Sequence, residues 1–248
     1  MKLIHKFKSP NFNKRKVGQI KYIIIHYTAL SSINESINYL CNPLNQVSCH
    51  YLISKLGKIY NLVDEKNRAW HAGESFWEEY TDINSMSIGI ELDFFPLNQN
   101  IYSNELIISL RYLLLTLMKK YNIDTNSILG HSDIAPYRKI DPGKKFPWEK
   151  VIVGKKLTKI KLKKRIIYSS VLISWFSKLK IKTVKKRTLF MLAYIGYDTE
   201  VVMKKNNMFK KLITAYQSHH NQKKITGIVD KKTFDLIINH FLNKFLNF

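Results

Sequence analysis

Apolar and polar positions along the chain fall into runs with distinct periods. Lys21–Tyr27 (KYIIIHY) is almost continuously apolar, as expected of a strand buried on both faces, and carries His26 at its carboxyl end. Ser32–Leu40 places Ile33, Ile37 and Leu40 at helical spacing with Glu35 in the first turn, and Asn42–Pro43 breaks it. Val47–Ile53 and Lys58–Val63 read as two short strands around Lys55–Gly57, a hairpin pattern. Ser87–Phe94 (SIGIELDF) reads as a further strand with Glu91 in an apolar setting. The clearest helix is Asn104–Tyr121, whose Leu106, Leu110, Leu113, Leu114 and Leu117 form one broad stripe. Ile128–Gly130 is a short strand that feeds an irregular loop, Gly130–Trp148, too rich in Pro and Gly for the interior of a regular element. Residues 1–20 read as an extended lead-in, and residues 65–79 as a polar and aromatic loop.

This order predicts an α/β (α+β) fold, a mixed sheet flanked by helices, occupying residues 1–150. The pattern then changes. Residues 151–190 hold thirteen Lys or Arg and no Asp or Glu, so 151–180 reads as a basic connector running into an amphipathic element. Residues 181–248 reset into a small three-helix unit. Val184–Tyr194, Phe209–His219 and Lys231–Phe241 have helical spacing, Gly196 and Gly227 sit at turns, and Asp230 is placed as an N-cap.

Composition narrows the class without fixing it. With 45% hydrophobic residues in 248, the chain can fill a core. Its formal charge, 41 minus 18 or +23, favours anionic partners: nucleic acid, a membrane face or a cell-wall polymer. The charge run carries no recognised base-reading motif, so no specific nucleic-acid partner is expected; the connector could instead touch an anionic surface. Cys41 and Cys49 could pair but make no disulfide framework. The first residues lack the apolar core of a signal peptide, and no uncharged apolar stretch reaches membrane-spanning length. No glycine-rich phosphate loop, CxxC pair, HExxH or GxSxG motif occurs.

The residues that could carry chemistry are few. His26 ends one apolar run and His131 follows another, so a sheet can bring both to one edge, and Asp141 could close the site from its loop. Two imidazoles, a carboxylate and one open position form a donor set suited to catalytic zinc. Lys139 could stabilise an oxyanion, and Glu91 could act as a general base. Residue by residue, bland readings stand beside these. A histidine at a strand end is commonly structural, Asp141 before Pro142–Gly143 suits a turn, and Glu91 could face solvent.

Four motifs then bring in a family. IIIHYTA (23–29), VSCHYLISKLGKIYNLV (47–63), RAWHAG with SIGIEL (68–73 and 87–92) and GHSDIAPYRKIDPGKKFPW (130–148) occur in this order. Together they resemble the zinc-dependent N-acetylmuramoyl-L-alanine amidases of type 2, in their AmiD/AmpD-like branch. The resemblance implies one zinc ion per chain and hydrolysis of the amide between N-acetylmuramic acid, or its anhydro form, and L-alanine by zinc-activated water. It implies His26, His131 and Asp141 as metal ligands, Glu91 as proton acceptor and Lys139 as transition-state stabiliser. His50 is expected in the core or behind the metal. His71 is expected to line the groove from an exposed loop with Arg68 and Trp70, and Arg138 or Arg68 to meet peptide carboxylates. Cys49 stands where some relatives have tyrosine. The tail, through Leu192–Tyr197, Ala215–Gln217 and Gly227–Thr233, resembles a three-helix peptidoglycan-binding domain. Peptidoglycan or muropeptides are thus the expected partners, with a lean toward a periplasmic or wall-facing site of action. The alternative is a non-catalytic peptidoglycan-binding protein, which need not keep all five site residues.

Overall fold

The computed structural model describes residues 3–15, 18–97, 101–152 and 162–246, with the side chains of 162–168 excepted. They divide into two compact units, residues 1–75 with 81–153 and residues 76–80 with 154–248.

The first unit contains strands β1 (Leu3–Ile4), β2 (Phe12–Lys14), β3 (Tyr22–Tyr27), β4 (Tyr51–Ile53), β5 (Ile59–Asn61), β6 (Asn67–Ala69), β7 (Ser87–Leu92) and β8 (Ile128–Gly130). Its helices are α1 (Ile33–Cys41), α2 (Ile83–Met86), α3 (Asn104–Tyr121), α4 (His131–Ile134) and α5 (Trp148–Val151). Six strands form a mixed sheet in the order β1-β5-β4-β7-β3-β8, in which only the β4–β5 hairpin is antiparallel. The predicted mixed sheet flanked by helices is the observed architecture.

β3 lies inside the sheet because both its faces are covered: Ile23, Ile24 and Ile25 have no exposed surface. Each such side chain contributes about 1.5–3 kcal/mol through burial. α3 lays Leu106, Leu110, Leu113, Leu114 and Leu117 in the same core as Ile23 and Ile25. Ser103 caps its first turn by accepting from the Leu106 N–H, and Asn122 ends it in the left-handed region at φ 53°. α1 begins on Ser32, whose hydroxyl accepts from the Glu35 N–H while the Glu35 carboxylate accepts from the Ser31 N–H. Cys41 and Cys49 are both free thiols.

Three expectations need correction. The lead-in is not featureless: β1 pairs with β5, and β2 pairs with β6 as a separate two-stranded ribbon. The stretch 65–79 accordingly contains a strand. The loop after β8 starts with one helical turn, α4, because the Asp133 carboxylate accepts from the Gly130 N–H at 2.7 Å and caps that turn.

The second unit contains α6 (Leu162–Lys178), α7 (Val184–Ile195), α8 (Glu200–Lys204), α9 (Phe209–His220) and α10 (Lys231–Phe245). Much of the expected connector is therefore helix α6, while the basic residues 155–161, and with them the expected anionic-surface contact, lie outside the described residues. The three expected helices correspond to α7, α9 and α10. Residues 76–80, interrupting the first unit's sequence, belong here: the Glu78 N–H donates to the Gly196 carbonyl at 2.8 Å, and Trp77 packs edge-on against Tyr197. Among the described residues no helix is long and apolar enough to cross a membrane.

Candidate metal centre and catalytic residues

Three parallel strands end side by side. β3 runs between β7 and β8, with His26 opposite Glu91 and Ile25 opposite Gly130. The next residue after Gly130 is His131, so both histidines and Glu91 reach the same carboxyl edge of the sheet, where open parallel sheets bind ligands. Asp141 arrives from the loop. The Ser132 N–H donates to the Asp141 carbonyl at 2.9 Å, and the Tyr102 hydroxyl donates to the Pro142 carbonyl at 2.8 Å. Gly130 permits that return, since a Cβ there would lie 2.7 Å from Pro142 Cδ.

The result is a buried triangle. His26 Nδ1 lies 2.9 Å from His131 Nδ1 and 3.1 Å from Asp141 Oδ2, and His131 Nδ1 lies 3.0 Å from the same oxygen. The three residues are 1%, 4% and 7% exposed. His131 Nε2 faces the Ala72 carbonyl at 3.0 Å. A carbonyl only accepts, so Nε2 carries the proton and Nδ1 turns its lone pair into the triangle. Burial, and next the neighbouring His131, hold His26 down to about 4. Asp141 lies well below the usual carboxylate range: burial raises it, but the two histidines outweigh burial through charge and hydrogen bonding. Electron-pair donors at such spacing need a positive charge among them, and one shared proton serves the contacts poorly. The donor set and its geometry fit a divalent metal of the zinc type.

Glu91 stands beside this triangle. Its Oε2 is covered and has no hydrogen-bond partner. Burial first, then the Asp141 charge, push the carboxyl up to about 8, with Lys139 opposing. Lys139 is half-buried and its charge acts on both Glu91 and His26. Cys49 is fully buried, and burial followed by the Glu91 charge push its thiol well above the ordinary value.

The other expected site residues have different surroundings. His50 is a bolt within the fold: its Nδ1 accepts from the Gly89 N–H at 3.0 Å and Nε2 donates to the Asn67 carbonyl at 3.1 Å. His71 does not sit in an exposed loop; it is 5% exposed, with Nδ1 3.0 Å from His26 Nε2. Arg68 is committed to Asp82 and Asn13, and the Trp70 indole donates to Asn13 at 2.7 Å. The Arg138 guanidinium donates to the carbonyls of Ala72 and Glu74, supporting the His131 acceptor.

Sequence reasoning missed Ala72, Asn84 and Ser87. Ala72 acts through its backbone, which leaves no signal in a side chain. Asn84 Oδ1 accepts from the N–H groups of both His71 and Ala72, at 2.9 and 2.8 Å, and Ser87 Oγ lies 3.2 Å from His71 Nε2. The trace that Asn84 and Ser87 leave in the sequence is the polar group Asp82, Asn84, Ser85 and Ser87 before an apolar strand.

Comparison with known proteins gives the family. The family model for N-acetylmuramoyl-L-alanine amidases matches residues 16–144. The chain is 35% identical over 163 residues to the 1,6-anhydro-N-acetylmuramyl-L-alanine amidase AmpD of Haemophilus influenzae, covering 58% of this chain and 88% of that protein. It is 36% identical over 152 residues to the N-acetylmuramoyl-L-alanine amidase AmiD of Escherichia coli, covering 54% of this chain but only 52% of that protein. Among solved structures, E. coli AmiD in complex with anhydro-N-acetylmuramic acid-L-Ala-D-gamma-Glu-L-Lys superposes with TM-score 0.73 at 27% identity, covering 94% of this chain and 93% of AmiD. AmpDH3 of Pseudomonas aeruginosa, in complex with anhydromuramic pentapeptide, superposes with TM-score 0.73 at 26% identity, covering 94% and 95%.

Proposed function

The chain belongs to the N-acetylmuramoyl-L-alanine amidase family, whose reaction is cleavage of the amide between N-acetylmuramic acid and L-alanine in muropeptides, and we propose that it works as a zinc hydrolase using His26, His131 and Asp141 as ligands. The observation that carries this reading is the triangle of donor atoms 2.9–3.1 Å apart beside an unpartnered, covered Glu91 oxygen. A zinc ion held there would supply Lewis acidity toward the scissile carbonyl and toward water.

The chain's own residues do the rest. Glu91, whose carboxyl burial raises to about 8 and a bound divalent cation would lower again, takes a proton from the attacking water and returns it to the departing L-alanine amine. Lys139 places positive charge near the carbonyl oxygen as it becomes an oxyanion. Cys49, buried and held as a thiol, takes no part in proton transfer. The anhydro-muramic peptides bound in the two solved relatives support a soluble anhydro-muropeptide as substrate. The helical unit is assigned to wall binding, on its sequence pattern and on structural matches that extend over 94% of the chain.

The test is incubation of purified protein with a defined anhydro-muramyl tripeptide and, separately, with intact sacculi. A free L-alanine amino terminus should appear, vanish with chelator and return with zinc. No turnover on either substrate would leave a peptidoglycan-binding protein instead.

A further inference from the structure

The His26 ring presents Nδ1 to the triangle, and something must keep the proton on its other nitrogen. Neutral imidazole carries one N–H, and in solution either nitrogen takes it. For His131 the Ala72 carbonyl decides. For His26 the neighbour is another imidazole, which by itself could be donor or acceptor.

A chain of hydrogen bonds with a fixed direction resolves this. It begins at the Ile83 carbonyl, which can only accept. The Ser87 hydroxyl lies 2.6 Å away and donates its single proton there. Ser87 Oγ then has only lone pairs left for His71 Nε2, 3.2 Å away, so that nitrogen must carry the proton of the His71 ring. His71 is buried and, among the described residues, makes no hydrogen bond to a carboxylate that would hold a second proton on its ring. Its Nδ1 is therefore bare and accepts from His26 Nε2 at 3.0 Å. With its proton on Nε2, His26 turns the Nδ1 lone pair toward His131 and Asp141.

We propose that His71 is a positioning residue which, through the chain Ile83 carbonyl–Ser87–His71, holds His26 in the tautomer that presents Nδ1 to the metal. The residue next to it, Ala72, does the same for His131 through its carbonyl. One dipeptide thus orients both imidazole ligands, and Asn84 anchors that dipeptide by accepting from both of its N–H groups. The fold makes room for this at Gly89, where a Cβ would lie 2.3 Å from His71 Cγ, so only glycine lets the ring lie on β7. Partners behind a metal-bound histidine commonly alter metal affinity by about 10–100-fold.

The proposal rests on reading the triangle as a metal site, and the two can be tested apart. Two-bond 15N–1H spectra of histidine-labelled, metal-free protein near neutral pH report each tautomer without any metal. His71 should carry hydrogen on Nε2 only, and His26 should carry hydrogen on Nε2. A proton on His71 Nδ1, or a His26 Nε2 without one, would overturn the relay. Zinc affinity, measured by competition with a chromophoric chelator, should fall about 10–100-fold in His71→Phe. The milder Ser87→Ala should let the His71 ring populate both tautomers and weaken zinc in the same direction. If Ser87→Ala leaves both the tautomers and the affinity unchanged, the relay is wrong. Failure of the unsubstituted protein to bind zinc would instead remove the metal-site reading, leaving the spectra to decide the relay.

Discussion

His26 and Glu91 are register partners on adjacent parallel strands, β3 and β7. Residues paired in this way project from the same face of a sheet, so the ladder itself sets the proposed base beside the proposed ligand. Glu91 touches no ligand atom of the triangle through a hydrogen bond, which separates its role from metal holding. Glu91→Gln is nearly isosteric and should keep zinc content while lowering kcat by about 100–10,000-fold, the usual range for a lost general base. Metal analysis beside kinetics checks this, and near-normal turnover would take Glu91 out of the role.

The same carboxyl makes the metal-free protein sensitive to pH. Glu91 rises from 4.5 to about 8 on folding, so between those values the folded state holds more protons and stability falls as pH rises. His26 and His50 move the other way, from 6.5 to about 4 and about 3, so their contribution is lost as pH falls below 6.5. Above 6.5 these histidines are neutral folded or unfolded, and Glu91 acts alone. Stability in chelator should therefore peak near pH 6.5 and decline toward pH 8, by at most about 2 kcal/mol. Thermal melts of Glu91→Gln should be flat over that upper window. An equal decline in the variant would assign it to another group.

Asp141 and Lys139 stand two residues apart and should fail differently. Asp141→Ala removes the one carboxylate among the three proposed ligands, so zinc occupancy should drop with activity. Lys139→Met should keep the metal and lower kcat by about 100–1,000-fold, the scale of a lost oxyanion partner. Full occupancy in the first variant, or metal loss in the second, would reverse the assignments.

How much of this was legible from residues alone depends on the range of the forces involved. β3 and α3 are readable because their burial is written as a local period in Ile23–Ile25 and in the Leu106–Leu117 stripe. The β2–β6 ribbon is not, because Phe12–Lys14 and Asn67–Ala69 have no alternation and each is a strand only by pairing with the other. α4 hides in a Pro- and Gly-rich loop since one capping bond, Asp133 to Gly130, creates it. The motifs brought out His26, His131 and Asp141 as a set. Placing His71 behind His26 needed Gly89, Asn84 and Ser87, whose contacts with it are tertiary.

In the helical unit one side chain holds the turn between α9 and α10. Gln217 is fully buried, accepts from the N–H groups of Thr226 and Gly227 at 2.8 Å each, and donates to the Ile228 carbonyl at 2.9 Å and the Thr233 hydroxyl at 3.0 Å. The Gly227 φ of +71° suits glycine, and a Cβ there would crowd Lys210 and Thr214, so the turn has little room to rearrange toward water. Gln217→Leu keeps the volume and strips these buried groups of their partners. Each costs about 1–3 kcal/mol when left unsatisfied, and partial relaxation brings the total to about 2–5 kcal/mol. Denaturant unfolding followed by circular dichroism should show the helical signal lost at a lower midpoint. Gln217→Glu, which keeps the acceptor for the two N–H groups but loses the donors and buries a charge, should also destabilise the unit. A midpoint unchanged in Gln217→Leu, at the same slope, would show that the turn is held by its apolar packing instead.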